Sequence, residues 1–266
     1  MLSKNIKFKN FTNKSKNLSV IRIFNNLKND YFKKKIILLL SLSENYNYSY
    51  TKKTVSKYKN FQNYNVIGMG GSISGPKAIY QFLKHKIKKN FLFIDNLQAT
   101  LNLQKKKSIN LIISKSGNTL ETISNFNILI NNKKKNIFIV ENKKNYLNDL
   151  ANYMKAEIIE HKNYIGGRYS VLSEVGMLPA ELMGLKEQKF KRLNYLIKNK
   201  RFVNHLTQNV ASTLNFVKNK KHLSVILNYD HKSKGLFSWY QQLIAESLGK
   251  KSKGIIPLVS TMPKDN

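Results

Sequence analysis

Val66-Ile-Gly-Met-Gly-Gly-Ser-Ile-Ser-Gly-Pro76 passes from a short apolar run into a cluster of glycines and small hydroxyl residues, and then into a helix-length segment. An apolar run, a glycine turn and an amphipathic stretch in that order make one strand–loop–helix unit. Further short apolar runs follow at Phe91-Leu-Phe-Ile94, Ile109-Asn-Leu-Ile-Ile113, Ile137-Phe-Ile-Val140 and Glu157-Ile-Ile159, separated by helix-length segments. Runs of this kind bury both faces of a strand. The stretch from Asn65 onward therefore predicts a parallel sheet covered by helices on both sides, a doubly wound α/β domain. Such sheets bind ligands at the carboxyl ends of their strands, where the unusual residues of this chain lie.

Upstream, no proline precedes Pro76 and all 12 glycines lie at or after Gly68, so the first 62 residues read as a mostly helical arm or wrapper. Its dense apolar run, Ile36 to Leu40, reads equally as a short strand. Downstream, Lys186 to Lys220 contains neither glycine nor proline and reads as helical; His222-Leu-Ser-Val-Ile-Leu227 is a new strand, and Lys234 to Leu248 a helix. The resulting division is a helical segment at 1–62, an α/β domain at 63–185, a helical connection at 186–219, and the start of a second α/β domain at 220–266. No internal repeat is evident.

Composition narrows the function. The 266 residues carry 47 basic against 14 acidic side chains, a formal charge of +33, yet arginine occurs only at Arg22, Arg168, Arg192 and Arg201. A nucleic-acid binder uses arginine forks clustered on one element. Here the lysines are scattered through every segment, as solvated surface is. With 41% hydrophobic residues the chain should fold, and with no cysteine it has no disulfide, thiolate nucleophile or cysteine-ligated metal. No apolar run approaches the length that spans a bilayer and no signal peptide is evident, so the expected setting is cytoplasmic.

Four segments could carry chemistry. The Gly68–Pro76 loop is a phosphate-loop context, with Pro76 suited to the first helical position. It misses the dinucleotide fingerprint, because Ile73 stands where the third glycine belongs. It misses the nucleoside-triphosphate loop as well, because Pro76 follows Gly75 where a lysine belongs. A glycine-rich turn without a ligand remains open. Ile112-Ile-Ser-Lys-Ser-Gly-Asn-Thr-Leu-Glu-Thr122 again runs from a strand into a helix, with Asn118 and Glu121 spaced as a capping box. Its hydroxyls, Lys115 and the free amides of a helix N-terminus suit a phosphate monoester, and a plain capped helix explains it nearly as well.

Tyr164-Ile-Gly-Gly-Arg-Tyr-Ser170 sets an arginine beside two glycines, where it could hold phosphate or a developing oxyanion, or lie solvated on a turn. In Phe237-Ser-Trp-Tyr-Gln-Gln-Leu-Ile-Ala-Glu-Ser-Leu-Gly-Lys250, Gln242 and Glu246 share a helix face, while Trp239, Leu243 and Leu248 can be buried. A half-buried Glu246 would suit a general base; an exposed helix glutamate is the plain alternative.

Taken together, Gly68-Met-Gly-Gly-Ser-x-x-Gly-Pro, Ser114-Lys-Ser-Gly-x-Thr-x-Glu-Thr, Gly166-Gly-Arg-Tyr-Ser and Trp239-x-Gln-Gln-x-x-x-Glu-Ser-x-Gly-Lys resemble, in that order, the glucose-6-phosphate (phosphoglucose) isomerase family, built from two sugar-isomerase (SIS) domains. The resemblance runs from about Asn65 to Pro257. It implies a glycolytic and gluconeogenic aldose–ketose isomerase working through a cis-enediol, without metal or organic cofactor, on a small sugar phosphate, homodimeric in full-length members, and with no nucleic-acid or membrane partner.

Position by position, the resemblance implies that Ser114, Ser116 and Thr119, with the backbone of Lys115 and Gly117, hold the phosphate. Gly71 and Ser72 would line the sugar site, Glu246 would move the proton, Arg168 would stabilise the enediolate, and Gln242 would contact the sugar. It also implies that the second SIS domain is incomplete and that the family's ring-opening histidine and C-terminal lysine fall outside this chain, which alone would then lack part of the family's active site. None of His85, His161, His205, His222 or His231 sits in that histidine's context; they read as surface or core residues. The alternatives are a bifunctional glucose/mannose 6-phosphate isomerase and a non-catalytic sugar-phosphate-binding SIS module.

Overall fold

A computed structural model describes residues 18–97, 108–129, 135–250 and 254–262. The arm comprises α1 (Leu18–Phe32), a 3₁₀ turn at Ile37–Leu42 and α2 (Lys52–Tyr58). The α/β unit runs β1 (Asn63–Gly68), α3 (Gly71–Phe82), β2 (Asn90–Ile94), β3 (Ser108–Ile113), α4 (Leu120–Leu129), β4 (Lys135–Val140), α5 (Tyr146–Tyr153), β5 (Glu157–Glu160), a 3₁₀ turn at Gly167–Leu172, and α6 (Glu174–Leu182). Beyond it come α7 (Leu193–Lys198), α8 (Lys200–Lys218), β6 (Leu223–Asn228), α9 (Lys234–Leu248) and β7 (Ile256–Thr261).

Five parallel strands pair in the order β2-β1-β3-β4-β5. Every residue of the central strands β1 and β3 is buried, whereas the edge strand β5 exposes Glu160 and half-exposes Glu157. Alternate side chains feed two cores. Val66, Leu111, Ile113 and Ile137 pack on one face with Ile73 of α3 and with Val175 and Leu178 of α6; Ile67, Ile112, Phe138 and Val140 pack on the other with Phe126 of α4 and Leu147 of α5. The chain leaves β1 towards β2 and then returns to the other side of β1 as β3, so the crevice between the ends of β1 and β3 is the topological switch point. Gly68 and Ile113 are register partners at that crevice.

Three buried amides cross the sheet. Asn65 Nδ2 donates to Asn110 Oδ1 at 2.9 Å, and Asn110 Nδ2 to Asn136 Oδ1 at 2.8 Å. These residues stand directly opposite one another in the register of β1, β3 and β4.

Three local expectations are corrected. The Ile36–Leu40 run is not a strand but lies largely in the 3₁₀ turn, closed by the Ser41 hydroxyl on Leu38 O at 3.1 Å. Helix α3 starts at Gly71 rather than at Pro76, since Ile73 N already bonds Gly70 O at 3.1 Å; Pro76 lies inside the helix and supplies no donor there. Asn118 does not cap α4, because its side-chain oxygen is taken by the Tyr146 amide of α5 at 3.0 Å.

Helix α9 packs along α3, and β6 and β7 form a parallel pair with Leu223 opposite Ile256 and Val225 opposite Leu258. Leu223, Val225, Leu227, Ile256 and Leu258 are all exposed, a bare apolar face on this two-stranded sheet.

Candidate functional site

The loop after β3 gathers its hydroxyls tightly. Ser114 Oγ lies 2.9 Å from Thr119 Oγ1, and Ser116 Oγ lies 3.5 Å from the same atom. Ser114 Oγ also accepts from Gly117 N at 3.2 Å, and Ser116 Oγ from Asn118 N at 3.3 Å. Ser114 is buried, Thr119 half-buried and Ser116 exposed, so the group grades from core to solvent at the start of α4. Gly117 has φ 69°, and a Cβ there would fall 1.9 Å from Asn145 Oδ1. Only glycine fits that turn.

Lys115 turns aside. Its ammonium donates to Asn163 O at 2.7 Å and pairs with Glu141 at 3.4 Å, while Lys143 takes the other Glu141 oxygen at 2.5 Å. Burial pushes the Glu141 carboxyl up, but the hydrogen bonds and charges of Lys143 and Lys115 outweigh it and hold it below its ordinary value.

The loop after β1 meets the second half of the site through bare backbone. A Cβ on Gly71 would lie 2.3 Å from Gly167 C and 2.5 Å from Arg168 N, so the start of α3 and the 167–172 turn touch where neither has a side chain. Ser72 is buried at the first turn of α3.

Arg168, carried on that turn, reaches α9 with two edges of its guanidinium. Nε donates to Ser247 Oγ at 3.0 Å, and Nη1 lies 3.3 Å from Glu246 Oε2. Tyr169 completes the cradle, its ring centroid 4.9 Å from the guanidinium carbon and its hydroxyl 2.8 Å from Ser247 Oγ. Hydrogen bonds to Ser247 and Arg168 hold the Tyr169 phenol below its usual value. Trp239 Nε1 donates to Arg168 O at 3.2 Å and fixes the turn from behind.

The other Glu246 oxygen accepts from Gln242 Nε2 at 2.8 Å, and Gln242 Oε1 accepts from Ser74 Oγ at 3.0 Å. A continuous chain thus runs Ser74, Gln242, Glu246, Arg168, Ser247, Tyr169 across three elements. Glu246 is not half-buried as expected: its side chain is 46% exposed. Leu248 is exposed as well, while Trp239 and Leu243 are half-buried. Of the histidines, His85, His222 and His231 are exposed and His161 is buried.

Two groups thus emerge among the residues read from sequence. Ser114, Ser116, Gly117 and Thr119 form one; Gly71, Arg168, Gln242 and Glu246 form the other, and the Gly68–Ile113 pairing at the switch point joins their loops. Sequence reading missed Ser74, Tyr169 and Ser247 as members of the network. All three lie inside the quoted motifs, but the contact of Ser247 with Arg168 joins residues 79 apart and has no local signal. A cleft of about 530 Å³ adjoins Gln242 between α3 and α9, lined also by Ser74, Lys77, Asp95 and Lys234. Among the described residues no group of three or more His, Asp or Glu is placed to hold a metal, and no helix is long and apolar enough to cross a membrane.

A five-stranded doubly wound sheet, with a cluster of hydroxyls in the loop after β3 and an arginine–carboxylate pair beside its switch point, defines the class as an α/β protein. The chain belongs to the phosphoglucose isomerase family, whose model matches residues 46–257. It is 36% identical over 235 residues to a protein of Methanocaldococcus jannaschii named glucose-6-phosphate isomerase, covering 80% of this chain and 58% of that one. To a protein of the same name from Acholeplasma laidlawii it is 32% identical, covering 77% of this chain and 54% of that one. The chain therefore spans little more than half the length of these relatives.

Among solved structures, the fold is similar to a hypothetical protein of Thermus thermophilus, with TM-score 0.69 at 22% identity, covering 93% of this chain and 67% of that one. It is also similar to the tagatose-6-phosphate ketose/aldose isomerase of Escherichia coli, with TM-score 0.51 at 12% identity, covering 92% of this chain and 64% of that one.

Proposed function

We propose that this chain carries the base, the cation and the phosphate anchor of an aldose–ketose isomerase that interconverts D-glucose 6-phosphate and D-fructose 6-phosphate. The observation that carries the reading is the Arg168–Glu246 pair, held from both sides by Ser247 and Gln242. Membership of the family and the names of the relatives support it.

The roles follow from what changes during the reaction. The phosphate is the same in substrate, intermediate and product, so Ser114, Ser116 and Thr119, with the amides of Lys115 and Gly117, supply binding alone. Glu246 removes the C2 proton of the open-chain aldose. The C–H electron pair forms the C1=C2 bond, and the former carbonyl oxygen takes the negative charge of an enediolate. Arg168 faces that charge. The C2 hydroxyl proton passes to the C1 oxygen, and return of the proton from Glu246 to C1 then leaves the carbonyl at C2. Gln242 holds one oxygen of the carboxylate and so orients the other, and Gly71 lets Arg168 sit against α3. Ring opening is assigned to no residue of this chain.

A first SIS domain over 63–185, the start of a second over 220–266, a homodimeric assembly and a cytoplasmic setting belong to the same reading. The test is solvent exchange: fructose 6-phosphate or glucose 6-phosphate is incubated with the protein in heavy water and deuterium is followed at C1 and C2 by NMR. Exchange that disappears in Glu246→Gln supports the reading. Tight binding of the sugar phosphate with no exchange would establish a binding module instead.

A further inference from the structure

The most buried charged cluster outside the site lies behind the Arg168 turn. Lys191 is only 4% exposed and Glu174 is fully buried. The Lys191 ammonium donates to Ser41 O, at the end of the first 3₁₀ turn of the arm, and at 2.7 Å to Leu172 O, the last residue of the 3₁₀ turn that begins at Gly167. It also lies over the rings of Tyr46 and Tyr48 at 4.6 and 4.9 Å. Glu174 opens α6, separated from the end of that turn at Leu172 by Ser173 alone, and it binds the same arm. It accepts from Tyr46 OH at 3.0 Å and from Ser49 N at 2.9 Å. Lys162 adds a bond to Asn47 O at 2.5 Å.

We propose that Lys191 is a positioning residue for Arg168: its buried ammonium pegs the arm at Ser41 to the carbonyl that ends the 167–172 turn, and so fixes the turn from which the guanidinium reaches α9. The proposal rests on the reading of Arg168 as the cation that faces the reacting sugar. The rest of the turn is held by the Trp239 indole on Arg168 O, by the Ser170 hydroxyl on Gly167 O at 2.6 Å and by packing of Val171 and Leu172 on the core, and Lys191 is what ties its last carbonyl to the arm. A buried charge of this kind persists only where its donors are used, and here they are spent on two carbonyls and two aromatic faces.

The groups facing Lys191 are Glu174 and Glu187, which favour its charge, and Lys162, which opposes it; His161 and Glu181 lie further out around Glu174 and Tyr50. Burial wins and lowers the ammonium to about 8. A released Lys191 would return to its ordinary value near 10.5, so the pegged state gains on the released one as pH rises from about 8. The peg therefore tightens, not loosens, on the alkaline side.

The test uses Trp239, the single tryptophan, whose indole donates to Arg168 O and reports the position of the turn without any substrate. In Lys191→Met at pH 7, acrylamide quenching of Trp239 is expected to rise about twofold or more, and amide exchange over residues 41–50 about tenfold, with Lys191→Arg restoring much of both. Unchanged Trp239 quenching in a folded Lys191→Met, whether or not the arm exchanges faster, overturns the positioning role. If that variant does not fold, a pH series on the unaltered chain decides. Quenching of Trp239 should fall between pH 7 and 9.5, and the fall should vanish in Lys191→Arg. A flat series, or the same fall in Lys191→Arg, which would belong to Tyr169, overturns the proposal. Since no readout involves sugar phosphate, failure of the isomerase reading leaves this test intact.

Discussion

Arg168 grips two consecutive residues of one helix, with Nε on Ser247 and Nη1 on Glu246 at 3.0 and 3.3 Å. The grip sets the direction of the guanidinium. Ser247 takes one edge, so the other is presented to the carboxylate and to whatever binds between them. A lysine has a single point of charge and cannot make both contacts. Arg168→Lys is expected to keep the fold and to lower the rate of deuterium exchange into the sugar about a hundredfold or more, with a smaller effect on sugar-phosphate affinity. Exchange at the wild-type rate would remove Arg168 from the chemistry.

Glu246→Gln keeps the shape of the side chain and its place beside Gln242 but removes the proton acceptor. A loss of about 10²-fold or more in exchange is expected for a general base, with fructose 6-phosphate binding retained in calorimetry. Near-normal exchange in this variant would assign the proton transfer elsewhere.

Ser116 and Thr119 differ from Glu246 in what their loss should do. Removing one hydrogen bond to a dianion costs about 1.5–3 kcal/mol, so Ser116→Ala should weaken binding roughly tenfold or more and leave the bound substrate's exchange rate alone. An effect confined to the rate, with affinity unchanged, would contradict the anchoring role.

Gly71→Ala tests the bare backbone contact. Its Cβ would fall on Gly167 and Arg168 main-chain atoms, which cannot rotate away as a side chain could. A loss of about 1–3 kcal/mol in urea unfolding is expected from such overpacking, together with a changed Trp239 emission. Full stability in this variant would mean that the two segments separate freely.

Acid should loosen the loop after β3. Glu141 is only 9% exposed, and its carboxyl is held below the ordinary 4.5 by Lys143 and Lys115 against the push of burial. A carboxyl depressed in the folded state contributes stability above its unfolded value and loses it as pH falls through the folded one. Below about pH 4.5 the Lys115 and Lys143 contacts should therefore fail, and the drop in Tm between pH 7 and pH 4 should shrink in Glu141→Gln.

Much of the fold was legible because strands and helices are written in local periodicity. The runs at Val66, Phe91, Ile109, Ile137 and Glu157 are the strands β1 to β5, and Lys234–Leu248 is α9. What failed were decisions made by distant partners. Asn118 has the spacing of a cap but is claimed by Tyr146, 28 residues on, and Pro76 looks like a helix start until the earlier amides are found bonded to Met69 and Gly70. The Ile36–Leu40 run has strand composition but no strand to pair with. Glu246 was expected half-buried because its helix is amphipathic, yet it lies on the side turned to Arg168 and solvent. The motifs named Arg168, Gln242 and Glu246, but no local pattern states that Ser247 and Tyr169 complete their geometry or that β3 returns beside β1.

The asparagine row through β1, β3 and β4 behaves as one object rather than three residues. Asn110 accepts from one neighbour and donates to the other, so the row carries a direction from β1 to β4, and a strand displaced by a single residue would break both bonds and could set an amide against Val66, Leu111 or Ile137, which can neither donate nor accept through their side chains. Removing the middle amide alone would take the partner from Asn136 Oδ1 and one partner from Asn65 Nδ2, whereas replacing all three by apolar residues would leave no amide unpaired and cost only the buried Ser108 hydroxyl its Asn65 donor. The cost of change here is thus sharply non-additive. An evolving sequence can leave this row only by passing through its least stable forms, and a chain otherwise crowded with asparagine is held to asparagine at these places by physics rather than by composition.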